Sequence, residues 1–266
     1  RSLREAEALQ LLSSDLPDGA VPRVFLVDSE NFLFVMSAAP KETRNWKELL
    51  LKGTIDLKTA ECVGIIHASL IGASWKSPDW EVRFGDVTVF DQLRLDPYYR
   101  ATARVHPDLT AFFDTLIEDT LDRRVCLVHG DWSPKNFLVR GSVPMALDFE
   151  VAHYGNPAFD AAFLLNHLLL KSFHRREFLE AYLAAADRYW AGLTQRLPSD
   201  TGWFEQATVR HQAGLMLARV DGKSPVEYLN ANTRSTVRAF AQDLIQHPPA
   251  KLSETFERAR NANHNR

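Results

Sequence analysis

The sequence predicts an α+β fold in which short strands occur only near the start and in the middle of a mainly helical chain. Three observations predict it. A helical period at the very start gives way to two strand-like runs joined by turn residues. Residues 125–147 alternate strand, loop, strand, tight turn and strand. Helical periods account for most of the remainder. These textures divide the chain into a small helix-plus-hairpin unit (1–39), a larger mainly helical unit (40–258) and a polar tail (259–266).

Residues 3–12 read as a helix with Leu3, Leu9 and Leu12 on one face, ended by Pro17, Asp18 and Gly19. Val21–Val27 and Phe32–Met36 read as strands, and Asp28-Ser29-Glu30-Asn31 between them is turn chemistry. From about residue 46 the pattern is helical, with an amphipathic segment at 57–71. Residues 72–104 read as loop-rich. Pro107 suits the first turn of a helix that continues through Leu109, Phe112, Phe113, Leu116 and Ile117. Val125–Val128, Phe137–Val139 and Val143–Leu147 read as strands, with Arg140-Gly141-Ser142 as a tight turn. Helical periods resume at 158–171, 176–195, 203–220 and 233–246. Ser224-Pro225-Val226-Glu227 reads as a capping box that starts a further short helix.

Composition narrows the function classes. The chain has 266 residues, 45% hydrophobic and 24% charged, which supports a sizeable core. A net charge of -3 gives no basic excess for nucleic acid, and no polybasic run suits an anionic membrane. Cys62 and Cys126 are far apart and form no CxxC pair, so neither a zinc site nor a disulfide framework is expected. No apolar stretch approaches the ~20 residues a membrane span needs, and no leader is visible. The expectation is a cytoplasmic protein. It opens Arg1-Ser2-Leu3-Arg4, not with Met, and enters a helical period without a cap, so upstream residues are expected in the parent protein.

The chemistry concentrates in LVHGDWSPKNFLVRGSVPMALDFE, residues 127–150. Asp131 and Asn136 sit five apart in one loop, and Asp148 follows twelve residues after Asn136 at a strand end. A hairpin over 137–147 would bring Asn136 and Asp148 to its open end, with Asp131 in the loop that feeds it. One loop aspartate is usually a turn residue; three oxygen-bearing side chains converging suit phosphoryl transfer. Mg²⁺ takes oxygen ligands, commonly one or two carboxylates beside phosphates and waters, a role for Asn136 and Asp148. A carboxylate off the metal, Asp131, would orient an attacking hydroxyl and accept its proton.

HGDWSPKN followed by LDFE resembles the HxDxxxxN…D signature of the aminoglycoside phosphotransferases, choline kinases and related small-molecule kinases. The resemblance implies a protein-kinase-like fold: a partial N-lobe over 1–39 with a hinge at about 36–40, then a C-lobe over 40–258. It implies Asp131 as catalytic base, Asn136 and Asp148 as magnesium ligands, and His129 as structural support of the loop. Gly155-Asn156-Pro157-Ala158-Phe159-Asp160 looks like the family's G-[DN]-P-x-x-D run, in which Asp160 buttresses the catalytic loop. Glu5, or second Glu7, would pair with a strand lysine, and the backbone of Met36 and Ala38 would meet the nucleotide base. Lys135 would reach the γ-phosphate or lie solvated in the loop. The implied partners are Mg²⁺, ATP or GTP as co-substrate, and a small hydroxylated acceptor whose identity the motifs do not specify.

Two features depart from the family pattern. The strand lysine and phosphate-covering loop would precede residue 1, so this chain as it stands is expected to bind nucleotide poorly. Phe149-Glu150 follows the metal aspartate where protein kinases have Phe-Gly, which argues against a protein kinase. The rival reading is a non-catalytic nucleotide- or ligand-binding protein on the same scaffold. Gly222-Lys223-Ser224 lacks the earlier P-loop glycine, Leu217 standing in its place, and reads as a helix stop. No GxSxG or HExxH occurs. Trp75, Trp80, Tyr98 and Tyr99 are either core packing or walls of an acceptor site. Acidic residues lining the C-lobe would favour a cationic acceptor.

Overall fold

A computed structural model describes residues 1–264. Helix α1 (Ser2–Leu12) buries Ala6, Ala8, Leu9 and Leu12. The hairpin of β1 (Val24–Asp28) and β2 (Leu33–Met36) follows, antiparallel, with Asp28 opposite Leu33. Its turn closes because Asp28 Oδ1 accepts from the amides of Glu30 and Asn31 at 3.1 and 3.0 Å, and Oδ2 accepts from Asn31 Nδ2 at 2.8 Å. Val24 and Phe34 pack against the core. Phe25, Leu26, Val27, Leu33, Val35 and Met36 are exposed, so side chains on both faces of the hairpin meet solvent.

The next unit docks directly on the central loop. A two-residue strand β3 (Arg44–Asn45) pairs with β5 (Phe137–Arg140), which pairs with β6 (Val143–Ala146). Asn45 caps helix α2 (Trp46–Leu51) by accepting from Lys47 N at 3.0 Å, and its Nδ2 donates to the Lys135 carbonyl at 2.7 Å. A second small sheet pairs β4 (Cys126–Val128) with β7 (His153–Gly155). All of these short strands surround residues 129–136.

Helices build the rest. Asp56 caps α3 (Leu57–Ser74) through the amides of Lys58 and Thr59. This helix packs closely on α9 (Leu179–Thr194): a Cβ added at Gly64 would collide with the Tyr189 carbonyl, so only glycine permits the approach. Then come α4 (Pro78–Phe84), α5 (Thr88–Phe90), a π-type helical run over Asp91–Arg100, α6 (Ala101–Val105) and α7 (Thr110–Asp122). Helix α8 (Ala158–His174) is buried over nearly its whole length and forms the core axis. It is flanked by α9 and α10 (Phe204–Asp221), with α11 (Ala231–Gln246) and α12 (Leu252–His264) outside. Among the described residues no helix is long and apolar enough to cross a membrane.

The α+β class and the mainly helical larger unit agree with expectation. Four local readings need correction. Residues 72–104 are mostly helical, because Trp80, Phe84, Phe90, Leu95, Tyr98 and Tyr99 are buried and tertiary packing overrides the Pro-interrupted pattern. No helix starts at Ser224: its hydroxyl and carbonyl accept from Arg219 Nη1, and Glu227 is held by Lys47 at 2.6 Å, so the capping box has lost both members. The polar tail expected from residue 259 instead continues α12 to His264, with Ala259 buried; residues 265–266 lie outside the described residues. Strands β3 and β7 are additions that their two or three residues could not signal alone.

Candidate active site

The loop between β4 and β5 is held from below by one buried carboxylate. Asp160, in the first turn of α8, accepts from the His129 amide at 2.6 Å through Oδ2 and from the Gly130 amide at 3.0 Å through Oδ1. Burial pushes its carboxyl up to about 7, against the pull of those two amides. Gly130 has φ +77°, and a Cβ there would meet Val151 Cγ1 at 2.9 Å, so the turn requires glycine. His129 is fully buried. Its Nε2 bonds the Leu147 carbonyl at 2.9 Å and its Nδ1 accepts from the Asp131 amide at 3.1 Å. That pair of bonds needs the neutral Nε2–H tautomer, and burial accordingly lowers the imidazole pKa despite neighbouring Asp131. His129 thus ties the loop to the end of β6.

Asp131 sits at the mouth of this loop, almost fully buried. Lys135 Nζ approaches its Oδ2 at 2.7 Å and Arg94 Nη2 at 3.0 Å. Burial alone would raise the carboxyl, but the two cations outweigh it and hold Asp131 below the ordinary carboxylate range. Asp131 is therefore ionised at neutral pH. Arg94 also donates from Nε to the Gly130 carbonyl at 2.6 Å and from Nη1 to the Leu93 carbonyl at 2.8 Å, so it clamps the loop from the π-helical run.

Asn136 emerges one residue before β5. Its Nδ2 donates to the Asp131 carbonyl at 3.0 Å, which fixes the amide and leaves Oδ1 unbonded among the described residues. The Asn136 carbonyl accepts from the Leu147 amide at 2.9 Å, so Asn136 and Asp148 lie across the open end of the β5–β6 hairpin. Asp148 has φ +70° and ψ 57°, a left-handed conformation costing a non-glycine residue ~1–2 kcal/mol. Burial raises its carboxyl, with Asp131 and Glu150 adding to the rise and His129 opposing it. No Lys or Arg pairs with Asp148 among the described residues. A half-buried carboxylate and an oriented amide oxygen, neither neutralised by the chain, fit a cation brought by a ligand. No group of three His, Cys, Asp or Glu side chains suited to a metal occurs among the described residues.

Glu5 reaches the same turn from α1. Its Oε1 accepts from the amides of Asp148 and Phe149 at 3.1 and 3.3 Å, and no Lys or Arg pairs with it among the described residues. Glu7 instead points outward to Arg83 at 2.7 Å. At the expected hinge, the Ser37 amide donates to the Arg23 carbonyl at 2.8 Å, and Ser37 Oγ accepts from Arg23 N at 3.0 Å. The Ala38 amide and carbonyl make no backbone bond among the described residues.

A cavity of about 500 Å³ opens beside Asp131, lined by the π-helical run, α8, α10 and residues 223–228. Tyr98, Phe163 and Tyr228 supply its aromatic wall; Trp80 and Tyr99 are buried elsewhere in the core, and Trp75 packs against the core. Arg94 escaped notice because it lies in the stretch read as loop. Lys171 and Arg219 escaped because a cation in a helical pattern reads as a solvated face.

The model of the phosphotransferase enzyme family matches residues 1–197. Among solved structures, an amicoumacin kinase in complex with AMP-PNP, Ca²⁺ and Ami aligns at 17% identity and a TM-score of 0.52, over 93% of this chain and 78% of that one. A choline/ethanolamine kinase family protein from Mesorhizobium loti aligns at 13% identity and a TM-score of 0.50, over 98% and 79%. No curated protein sequence matches.

Proposed function

This chain belongs to the phosphotransferase enzyme family and has a protein-kinase-like fold; on that footing, we propose that it moves the γ-phosphate of ATP or GTP onto a hydroxyl of a small molecule. The observation that carries the reading is the pairing of two differently treated carboxylates, Asp131 in the β4–β5 loop and Asp148 just after β6. Asp131 is kept ionised by Arg94 and Lys135, as a base or orienting group must be. Asp148 is half-buried and left without a cation of its own, as a group waiting for a ligand's metal would be.

In this reading Asn136 Oδ1 and Asp148 hold Mg²⁺, which would neutralise charge on the transferred phosphates. Asp131 orients the acceptor hydroxyl and takes its proton. Lys135, which rests on Asp131, would turn toward the γ-phosphate once the nucleotide arrives. Glu5 holds the Asp148 turn, while His129 and Asp160 hold the loop. Met36 to Pro40 is proposed as the hinge, with the unpaired Ala38 backbone meeting the base; the N-lobe would run over 1–39 and the C-lobe from 40. The amicoumacin kinase with AMP-PNP and Ca²⁺ supports use of a nucleotide and a divalent cation.

The test is an ADP-release assay with Mg-ATP and Mg-GTP against sugars, hydroxy acids, sugar phosphates and amino alcohols, beside nucleotide binding by calorimetry. Acceptor-dependent ADP release that requires Asp131 supports the proposal. Nucleotide binding without turnover on any acceptor would instead favour a non-catalytic binding protein on the same scaffold.

A further inference from the structure

The cavity beside Asp131 has a charge balance opposite to that of a cation-binding pocket. Six cationic side chains line it, Lys47, Arg94, Lys135, Lys171, Arg219 and Lys223, against three carboxylates, Asp96, Asp131 and Glu227. The carboxylates are already occupied: Glu227 by Lys47 at 2.6 Å, Asp96 by Lys223 at 2.9 Å, and Asp131 by Arg94 and Lys135. Lys171 and Arg219 form no ion pair among the described residues.

Both remaining cations have donors to spare. Lys171 is fully buried on α8. Its Nζ donates to the His167 carbonyl one turn earlier at 3.2 Å and lies over the Tyr228 ring at 5.5 Å. Burial, with Lys47 and Arg219 adding to it and Glu227 opposing, pulls its ammonium down to about 7. Arg219 places all its hydrogen bonds on Nη1, to Tyr98 Oη, Ser224 Oγ and the Ser224 carbonyl. Its Nε is buried with no partner among the described residues, and so is Tyr228 Oη. Buried donors left without acceptors are costly, and an unpaired buried ammonium more so. An oxyanion entering the cavity would supply the acceptor they lack.

We infer that the ligand of this cavity is a small hydroxylated anion, carrying a carboxylate or a phosphate ester that Lys171, Arg219 and Tyr228 hold while a hydroxyl faces Asp131. Calling that ligand the acceptor rests on the phosphotransferase reading. Arginine's planar fork suits either oxyanion. A bound anion would also draw a proton onto Lys171.

The test is calorimetry on the full chain with Mg-ADP present. The probes are inorganic phosphate and four pyranoses that share a hydroxyl array: glucose, glucosamine, glucuronate and glucose 6-phosphate. The anions are expected to bind at least tenfold more tightly than glucose and glucosamine, and the glucuronate and glucose 6-phosphate arms separate the carboxylate from the phosphate ester. Lys171→Met and Arg219→Gln should each weaken the anions on the order of tenfold or more, with thermal melts confirming that both variants fold. Tighter binding of glucosamine, no binding of phosphate or either pyranose anion, or anion binding unchanged in both folded variants would overturn the inference. Phosphoryl transfer to an amine acceptor would do so while leaving the kinase reading intact. Anion binding that needs Lys171 and Arg219, with Mg-nucleotide bound and no transfer to any acceptor, would uphold the inference and sink the kinase reading.

Discussion

Glu5 and Asp148 meet across 143 residues of chain, the Glu5 carboxylate accepting the backbone amides of both Asp148 and its neighbour Phe149. The contact holds the left-handed turn at Asp148, and it places one end of α1 at the end of the β5–β6 hairpin.

Glu5→Ala should strip two amides of their acceptor and cost about 1–3 kcal/mol, whereas Glu5→Gln keeps an acceptor oxygen and should cost less. Chemical denaturation gives the stability, and Mg-nucleotide titration shows whether Asp148 has moved. Equal stability of both variants and wild type would mean that Glu5 does not hold the turn.

Asp131→Asn should lower turnover by about 10²–10⁴ with little change in nucleotide affinity. Asp148→Asn should weaken Mg-nucleotide binding as well as turnover. Measuring affinity and rate on both variants separates the roles. Loss of binding in the Asp131 variant but not in the Asp148 variant would reverse them.

Arg94→Gln removes one of the two cations that outweigh burial at Asp131. The carboxyl then rises, and because the base works only when ionised, the acid limb of the kcat/KM profile should move to higher pH. An unmoved limb, with turnover otherwise intact, would show that Arg94 does not tune Asp131.

Asp160→Asn leaves a single oxygen for two backbone donors and turns an amide toward one of them. The expected loss is about 1–3 kcal/mol. The pH dependence follows from the direction of the shift. Asp160 titrates near 7 in the folded chain, above the roughly 3.9 of an unfolded aspartate, so the folded state holds the extra proton between those values. Its contribution is full below about 4 and is lost as pH rises toward 7. Stability measured across that range should fall more steeply in wild type than in the variant.

Much of this site was legible because it is local. HGDWSPKN and LDFE lie within 24 residues, and a hairpin with a tight two-residue turn leaves one arrangement for Asn136 and Asp148. The supporting role of Asp160 likewise follows a motif only a loop and a strand away. Residues 72–104 were misread because their helices depend on buried aromatic packing and not on a clean period.

Strand alternation, turn chemistry and short spacings are properties of neighbouring residues, so the α+β class, the hairpin and the order of Asp131, Asn136 and Asp148 are legible in the chain alone. Which charges line the cavity beside Asp131 depends on tertiary packing. Arg94, Lys171 and Arg219 come from three elements far apart in the chain, and whether a cation is solvated or turned inward depends on what packs over it. That packing lines the cavity with six cations against three carboxylates.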